Sequence, residues 1–381
     1  MTIHRARLAA CHLGFTRAAA ASLLLATFAG TAAAQNATDA PAPVKIEANG
    51  TVRVPAHSVP MSSFLSPQGQ AYVTEHLLNM QRPELLVQKD GIPPLLAGYL
   101  ERQHALFAVE KRDTSVGGVH AWEYMPKEGV APENRDRVLI NLHGGGFVGC
   151  WPACAELESI PVAALGRIRV LSLDYRQQPK YRFPAASEDV ASAYRELLKT
   201  YKAENIGIYG CSAGGMLTGM AVAWFQAHGL PRPGAVALLC AGMTLASNGF
   251  GGDSAYTAAS IGESRSPPPL PTGPSKANVP LGYFAGADVT DPLVAPANSP
   301  AVLSKFPPTL IVTGTRAFEQ SSAVHTHALL VKQGVEAELH VWEGMFHGFF
   351  YNIDVPESRD CYDVIVKFFD RHLGKQPVPH K

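Results

Sequence analysis

The stretch Ile206-Gly207-Ile208-Tyr209-Gly210-Cys211-Ser212-Ala213-Gly214-Gly215-Met216 passes from an apolar strand pattern, through a serine flanked by glycines, directly into a helical pattern. A strand-to-helix turn this sharp crowds backbone against backbone, and glycine at the flanking positions removes the Cβ atoms that would clash. The turn presents the Ser212 hydroxyl at the edge of a sheet, beside a helix N-terminus whose dipole favours developing negative charge. Ser212 is therefore the candidate nucleophile.

On either side, strand-like and helix-like runs alternate, which implies a mainly parallel sheet with helices on both faces. Eight strands are expected, at 108–115, 120–125, 138–142, 170–174, 206–209, 235–239, 310–313 and 337–341. Helical patterns fall at 156–165, 186–200, 213–228, 321–333 and 357–373, and two earlier ones at 71–80 and 95–108. The span 245–281, with Pro267-Pro268-Pro269, breaks this rhythm and reads as an inserted lid.

Two further segments carry chemistry. His143-Gly144-Gly145-Gly146-Phe147 ends the 138–142 strand, and bare glycine amides there suit an oxyanion, with Gly145, Gly146 and Ala213 as the donors. His143 reads as a residue that orders this loop. His347 follows the last expected strand, at the carboxyl edge of the sheet where a general base must sit to reach Ser212. A buried structural histidine is the competing reading of that position.

The 381 residues carry 32 Lys+Arg against 32 Asp+Glu, and no charged run. That balance gives no support to nucleic-acid binding. With 46% hydrophobic and 17% charged residues the chain has ample material for a large core. Residues 1–34 combine Arg5, Arg7 and Arg17, an apolar run from Ala18 to Ala29, and small residues before Gln35, the pattern of a signal peptide. Export, to the periplasm or outside the cell, is expected, without stable membrane insertion because the run is shorter than a spanning helix needs. Residues 35–67 read as a tether, 68–107 as N-terminal cap helices, and 108–381 as the main domain. Without the leader five cysteines remain, Cys150, Cys154, Cys211, Cys240 and Cys361, so not all can pair within one chain. Cys150 and Cys154 are close enough to bridge, with buried free thiols as the alternative.

Together these segments resemble the α/β-hydrolase fold and, within it, the hormone-sensitive-lipase-like esterases. Asp174-Tyr175-Arg176, Phe183-Pro184-Ala185-Ala186 and Glu188-Asp189 are similar to a segment lying between the glycine string and the nucleophile in that family. The resemblance covers about 108–373 and implies cleavage of carboxylic esters, often with short acyl chains, by an acyl-serine route. It implies no cofactor and no metal, a small-molecule ester as the partner, and a helical cap.

The chain departs from the family at one place. The acid expected shortly after the 310–313 strand falls on Ala317. Between Pro292 and His347 there is no Asp, and of Glu319, Glu336, Glu338 and Glu343 only Glu319 lies in that loop. Glu319 is thus the candidate third member, displaced by two residues, which in extended chain is up to ~7 Å. Another acid, or no acid partner, remains open, as do a non-catalytic receptor on the same fold and an amidase or acyltransferase.

Overall fold

In the computed structural model, residues 43–87, 91–246, 249–263 and 282–374 are described. The leader and most of the 245–281 insert lie outside them. The chain divides into two compact units, with the boundary after Ser58. The described part of the first is a hairpin of β1 (Lys45–Ile46) and β2 (Val52–Arg53), turned at Gly50 with φ +84°. The span read as a tether therefore contains some regular structure.

The second unit opens with α1 (Pro67–Asn79) and α2 (Pro94–Leu106). Ser66 starts α1 by accepting the Gly69 amide on its side chain at 2.9 Å, and Pro67 fits the first helical position, where no N–H is required. β3 (Val109–Val116) and β4 (Val119–Pro126) form a hairpin across Gly117-Gly118, both with positive φ as a two-residue turn of this type demands. Then follow β5 (Val138–Leu142), α3 (Ala153–Gly166), β6 (Val170–Leu173), α4 (Ala185–Leu197), β7 (Ile206–Cys211), α5 (Ala213–Ala227) and β8 (Ala235–Leu239). After α6 (Ser254–Ser260) and α7 (Pro300–Leu303) the fold closes with β9 (Thr309–Gly314), α8 (Gln320–Lys332), β10 (Ala337–Trp342) and α9 (Pro356–His372).

The main sheet has eight strands in the order β10-β9-β8-β7-β5-β6-β4-β3, parallel except for β4, which runs antiparallel to both neighbours. Each expected strand is present, with ends that differ by at most two residues. Strands β5, β7, β8 and β9 are buried along their whole length because helices cover both faces. Side chains alternate between two cores. Ile140, Ile208, Leu238 and Ile311 meet α4, α5 and α8, while Leu139, Tyr209, Ala237 and Val312 meet α3 and α9. From β5 the chain crosses outward to β6 and then back past β5 to β7, so the loops after β5 and β7 leave the sheet in opposite directions. Ligands of such sheets bind at the carboxyl ends of the strands where the loops diverge, and there the paired ends of β5 and β7 bring the glycine string beside the Ser212 turn. Among the described residues no helix is long and apolar enough to cross a membrane.

Candidate active site

Ser212 sits between the end of β7 and the first residue of α5 with φ 56° and ψ −119°, a conformation that side chains rarely adopt. Its amide donates to Leu239 O at 2.8 Å, pinning the turn to the end of β8. A Cβ at Gly210 or at Gly214 would run into the Leu142 carbonyl, so β5 and the nucleophile turn touch only because both positions are glycine.

Hydrogen bonds to successive peptide planes shape the glycine loop. Tyr175 Oη donates to His143 O at 2.6 Å, and the opposite edge of the same peptide, Gly144 N–H, donates to Glu158 Oε1 at 2.8 Å. His143 Nδ1 donates to Gly144 O at 2.7 Å, and Val148 N to Gly145 O at 3.0 Å. In a trans peptide N–H and C=O point opposite ways, so fixing these two carbonyls turns the Gly145 and Gly146 amides to the other side. Neither amide has an acceptor among the described residues, and Ala213 N–H, at a helix start, lacks an intrahelical one. Positive φ at Gly145 (+119°) and Gly146 (+62°) explains the glycine run. His143 is fully buried, stacked on Tyr175 at 4.6 Å, and burial pushes its imidazole down to about 4. Its place under the loop agrees with an ordering role.

His347 Nδ1 lies 2.8 Å from Glu319 Oε2, and Thr313 Oγ1 donates to Glu319 Oε1 at 3.0 Å. A carboxylate only accepts, so Nδ1 is the donor, and in the neutral ring that tautomer leaves the Nε2 lone pair as the acceptor. Glu319 is fully buried and His347 partly exposed, with the imidazole stacked on Phe318 at 4.4 Å. The two-residue displacement shrinks from ~7 Å to about 3 Å because the segment is coiled, not extended. Ala317 N donates to Gly314 O and Gln320 N to Ala317 O, which leads into α8 with Glu319 in a helical conformation. A coiled segment advances only about 1.5 Å per residue. Ala317 itself is buried.

Cys240 ties the His347 loop to the nucleophile turn. Its Sγ accepts the Gly348 amide at 3.2 Å, and the preceding residue, Leu239, holds Ser212. Ligand atoms of Cys240, Glu319 and His347 lie within 4.8 Å of one another. Burial raises the Cys240 thiol, and Glu319 and His347 already bond each other, so the cluster suits a hydrogen-bonded acid–base pair better than a cation.

The cap expectation covers 68–107, which holds α1 and α2, and the 245–281 insert, of which 247–248 and 264–281 lie outside the described residues. His76 Nε2 lies 2.7 Å from the buried Glu263 carboxylate, and the His76 ring stacks on Phe346 at 3.5 Å, next to His347. The segment of Arg176 and Asp189 is structural. Arg176 holds Asp189 and Glu188, which anchors the loop after β6 to α4. Cys150 and Cys154 are joined by a disulfide, and Cys211, Cys240 and Cys361 are buried free thiols.

Sequence reasoning passed over Glu158, Thr313 and Tyr351. The available signal was Glu158 itself, a charge within the apolar run from Leu157 to Ala163 of a helix that the structure buries.

Residues 139–351, which include the glycine string, Ser212, Glu319 and His347, match the family model described as alpha/beta hydrolase fold. An acetyl-hydrolase of Streptomyces hygroscopicus is 31% identical over 254 residues, covering 65% of this chain and 80% of that protein. A crystal structure of an esterase aligns at 30% identity with a TM-score of 0.69, covering 84% of this chain and 98% of the other. A crystal structure of an esterase from the bacterial hormone-sensitive lipase family aligns at 25% identity with a TM-score of 0.66, over 80% of this chain and 99% of that one. With the eight-stranded sheet, the strained serine turn and these likenesses in one frame, the chain belongs to the α/β-hydrolase fold family, in its hormone-sensitive-lipase-like branch.

Proposed function

We propose that this chain is a carboxylesterase-type serine hydrolase in which Ser212 is the nucleophile, His347 the general base and Glu319 the acid partner. The observation that carries the assignment is the Glu319–His347 hydrogen bond, which leaves Nε2 free to accept a proton, on a loop that Cys240 ties to the residue holding the Ser212 turn. Ser212 Oγ attacks the ester carbonyl as His347 Nε2 takes its proton, and the C=O electron pair moves onto oxygen. Gly145, Gly146 and Ala213 amides hold that oxyanion, each worth roughly 3 to 4 kcal/mol at the transition state. The tetrahedral intermediate collapses, the C–O bond to the alcohol breaks, and His347 returns the proton to the leaving oxygen. Water then attacks the acyl-serine by the same route and frees the acid.

Short to medium acyl chains are the proposed substrates, in keeping with the acetyl-hydrolase relative. The receptor reading drew its force from Ala317, and a buried carboxylate on His347 removes that motive. Export remains part of the proposal, supported by the leader pattern of residues 1–34 and by a disulfide, a bond that persists in oxidising compartments.

The test is a rate survey over p-nitrophenyl esters of increasing acyl length, with Ser212→Ala as control. Turnover that declines with chain length and vanishes in the control is expected, and wild-type hydrolysis by Ser212→Ala overturns the assignment. N-terminal sequencing of the exported protein should begin near Gln35, and retention of the first 34 residues counts against export.

A further inference from the structure

Glu158, on α3, is 1% exposed and accepts four hydrogen bonds. Oε1 takes Gly144 N–H at 2.8 Å and Tyr351 Oη–H at 3.0 Å, and Oε2 takes Asn141 Nδ2–H at 2.9 Å and Cys211 N–H at 3.2 Å. Each partner belongs to a different part of the site. Gly144 precedes the two free glycine amides, Cys211 precedes Ser212, Tyr351 lies four residues beyond His347, and Asn141 lies on β5. Stability alone gives little reason to keep a carboxylate here, because desolvating a charge costs more than its hydrogen bonds usually return, and apolar replacements are often as stable. The desolvation is visible in the group itself, whose pKa burial raises to about 7 against the opposing pull of all four donors.

We propose that Glu158 is a positioning residue: one carboxylate, by holding the amides before the oxyanion glycines and before Ser212, sets the distance between nucleophile and oxyanion donors. The inference rests on the hydrolase reading above. The demand is for an acceptor on both oxygens. Asn141 and Tyr351 can reorient, but the amides of Gly144 and Cys211 are fixed by the backbone. A glutamine has one accepting oxygen and one donating nitrogen, so in either orientation one of these two N–H groups faces an N–H and loses its partner. Aspartate keeps two acceptors on a shorter stem. Geometry errors of about 1 Å between reacting groups can cost on the order of 100-fold in rate while leaving ground-state binding little changed.

The experiment measures kcat and KM for p-nitrophenyl acetate, the rate of Ser212 capture by a fluorophosphonate, and the melting temperature, in wild type, Glu158→Gln and Glu158→Asp. Glu158→Gln is expected to lower kcat and capture rate at least 30-fold with KM within about threefold, and Glu158→Asp to recover part of that loss. Folded Glu158→Gln with wild-type kcat and capture overturns the proposal and leaves the hydrolase reading standing. Should Glu158→Gln fail to fold, Glu158→Asp decides alone: a fall of at least fivefold in kcat at constant KM supports the role, and wild-type kcat overturns it. Wild-type protein that neither turns over the ester nor captures the fluorophosphonate overturns the hydrolase reading, and this inference with it.

Discussion

The Glu319 carboxylate sits 2.8 Å from His347 Nδ1, while Ala317, two residues nearer to β9, is packed into the fold with only a methyl group to offer. Glu319→Gln keeps the shape of the side chain but lets its amide donate toward Nδ1, favouring the wrong imidazole tautomer. A loss of ~10⁴ in kcat is expected by analogy with loss of the acid in serine hydrolases. Steady-state kinetics on a folded variant test this, and a change under about threefold sends the acid role to another residue.

Thr313 supplies the second hydrogen bond to Glu319, at 3.0 Å within a fully buried pair. Thr313→Val preserves volume and removes the hydroxyl, leaving one carboxylate oxygen short of a donor. Hydrogen bonds to charged groups contribute about 1.5–3 kcal/mol, so kcat should fall roughly tenfold or more with Glu319 still in place. Unchanged kcat in the valine variant means that Thr313 does not orient the acid.

Much of this was legible from residue order because the signals are local. β5, β7, β8 and β9 are short apolar runs, and a strand buried on both faces shows that directly. The serine turn and the glycine loop need glycine wherever backbones meet, so composition alone marks them. Glu319 was legible by elimination, but its bond to His347 depends on the coil between Gly314 and Gln320, which spacing cannot give. Glu158 stood out only as a charge within an apolar helical run, and its role was not legible. Its four partners come from β5, the glycine loop, β7 and the segment after β10, and only the folded sheet assembles them.

Gly145 and Gly146 respond differently to substitution. A Cβ at Gly145 would collide with the Gly149 carbonyl, whereas one at Gly146 would meet nothing nearer than Val148 Cγ2 at 3.8 Å. Gly145→Ala must therefore move the loop, and a loss of about 10²–10³ in kcat is expected if the donor is displaced. Gly146→Ala bears mainly the strain of its left-handed conformation, about 1–2 kcal/mol, and should keep kcat within about tenfold. Equal losses in the two variants contradict this reading of the loop.

The His143 imidazole is held down to about 4 from an ordinary 6.5 because burial disfavours its charged form. Between those values the unfolded chain binds the proton and the folded one does not. His143 therefore contributes stability that is present above about 6.5 and lost as the pH falls toward 4. Glu158 has the opposite sign, since a carboxyl raised to about 7 favours folding at low pH, but that contribution is common to wild type and to His143→Gln. The destabilisation caused by His143→Gln should thus be smaller at pH 4.5 than at pH 7.5, by roughly 2 kcal/mol. Urea melts of both proteins at the two pH values test this, and a cost that is constant or grows on acidification refutes the assignment.

The Cys150–Cys154 bridge closes a loop with a sequence separation of only 4, and it follows directly on the glycine string. Trp151, inside that loop, lies 4.9 Å from the Trp122 ring and 5.6 Å from His143, so the bridge holds an aromatic wall behind the oxyanion segment. Loop closure this short restrains the unfolded chain by about 2 kcal/mol, which for a domain of this size shifts the melting temperature by a few degrees. Dithiothreitol should lower the melting temperature by that amount, and thiol titration of denatured protein should find two more thiols after reduction than before. Because Tyr175, His143 and Glu158 hold the glycine amides independently of the bridge, kcat should stay within about threefold. A large loss of kcat without a change in melting temperature would mean that the disulfide, not this hydrogen-bonded frame, sets the loop.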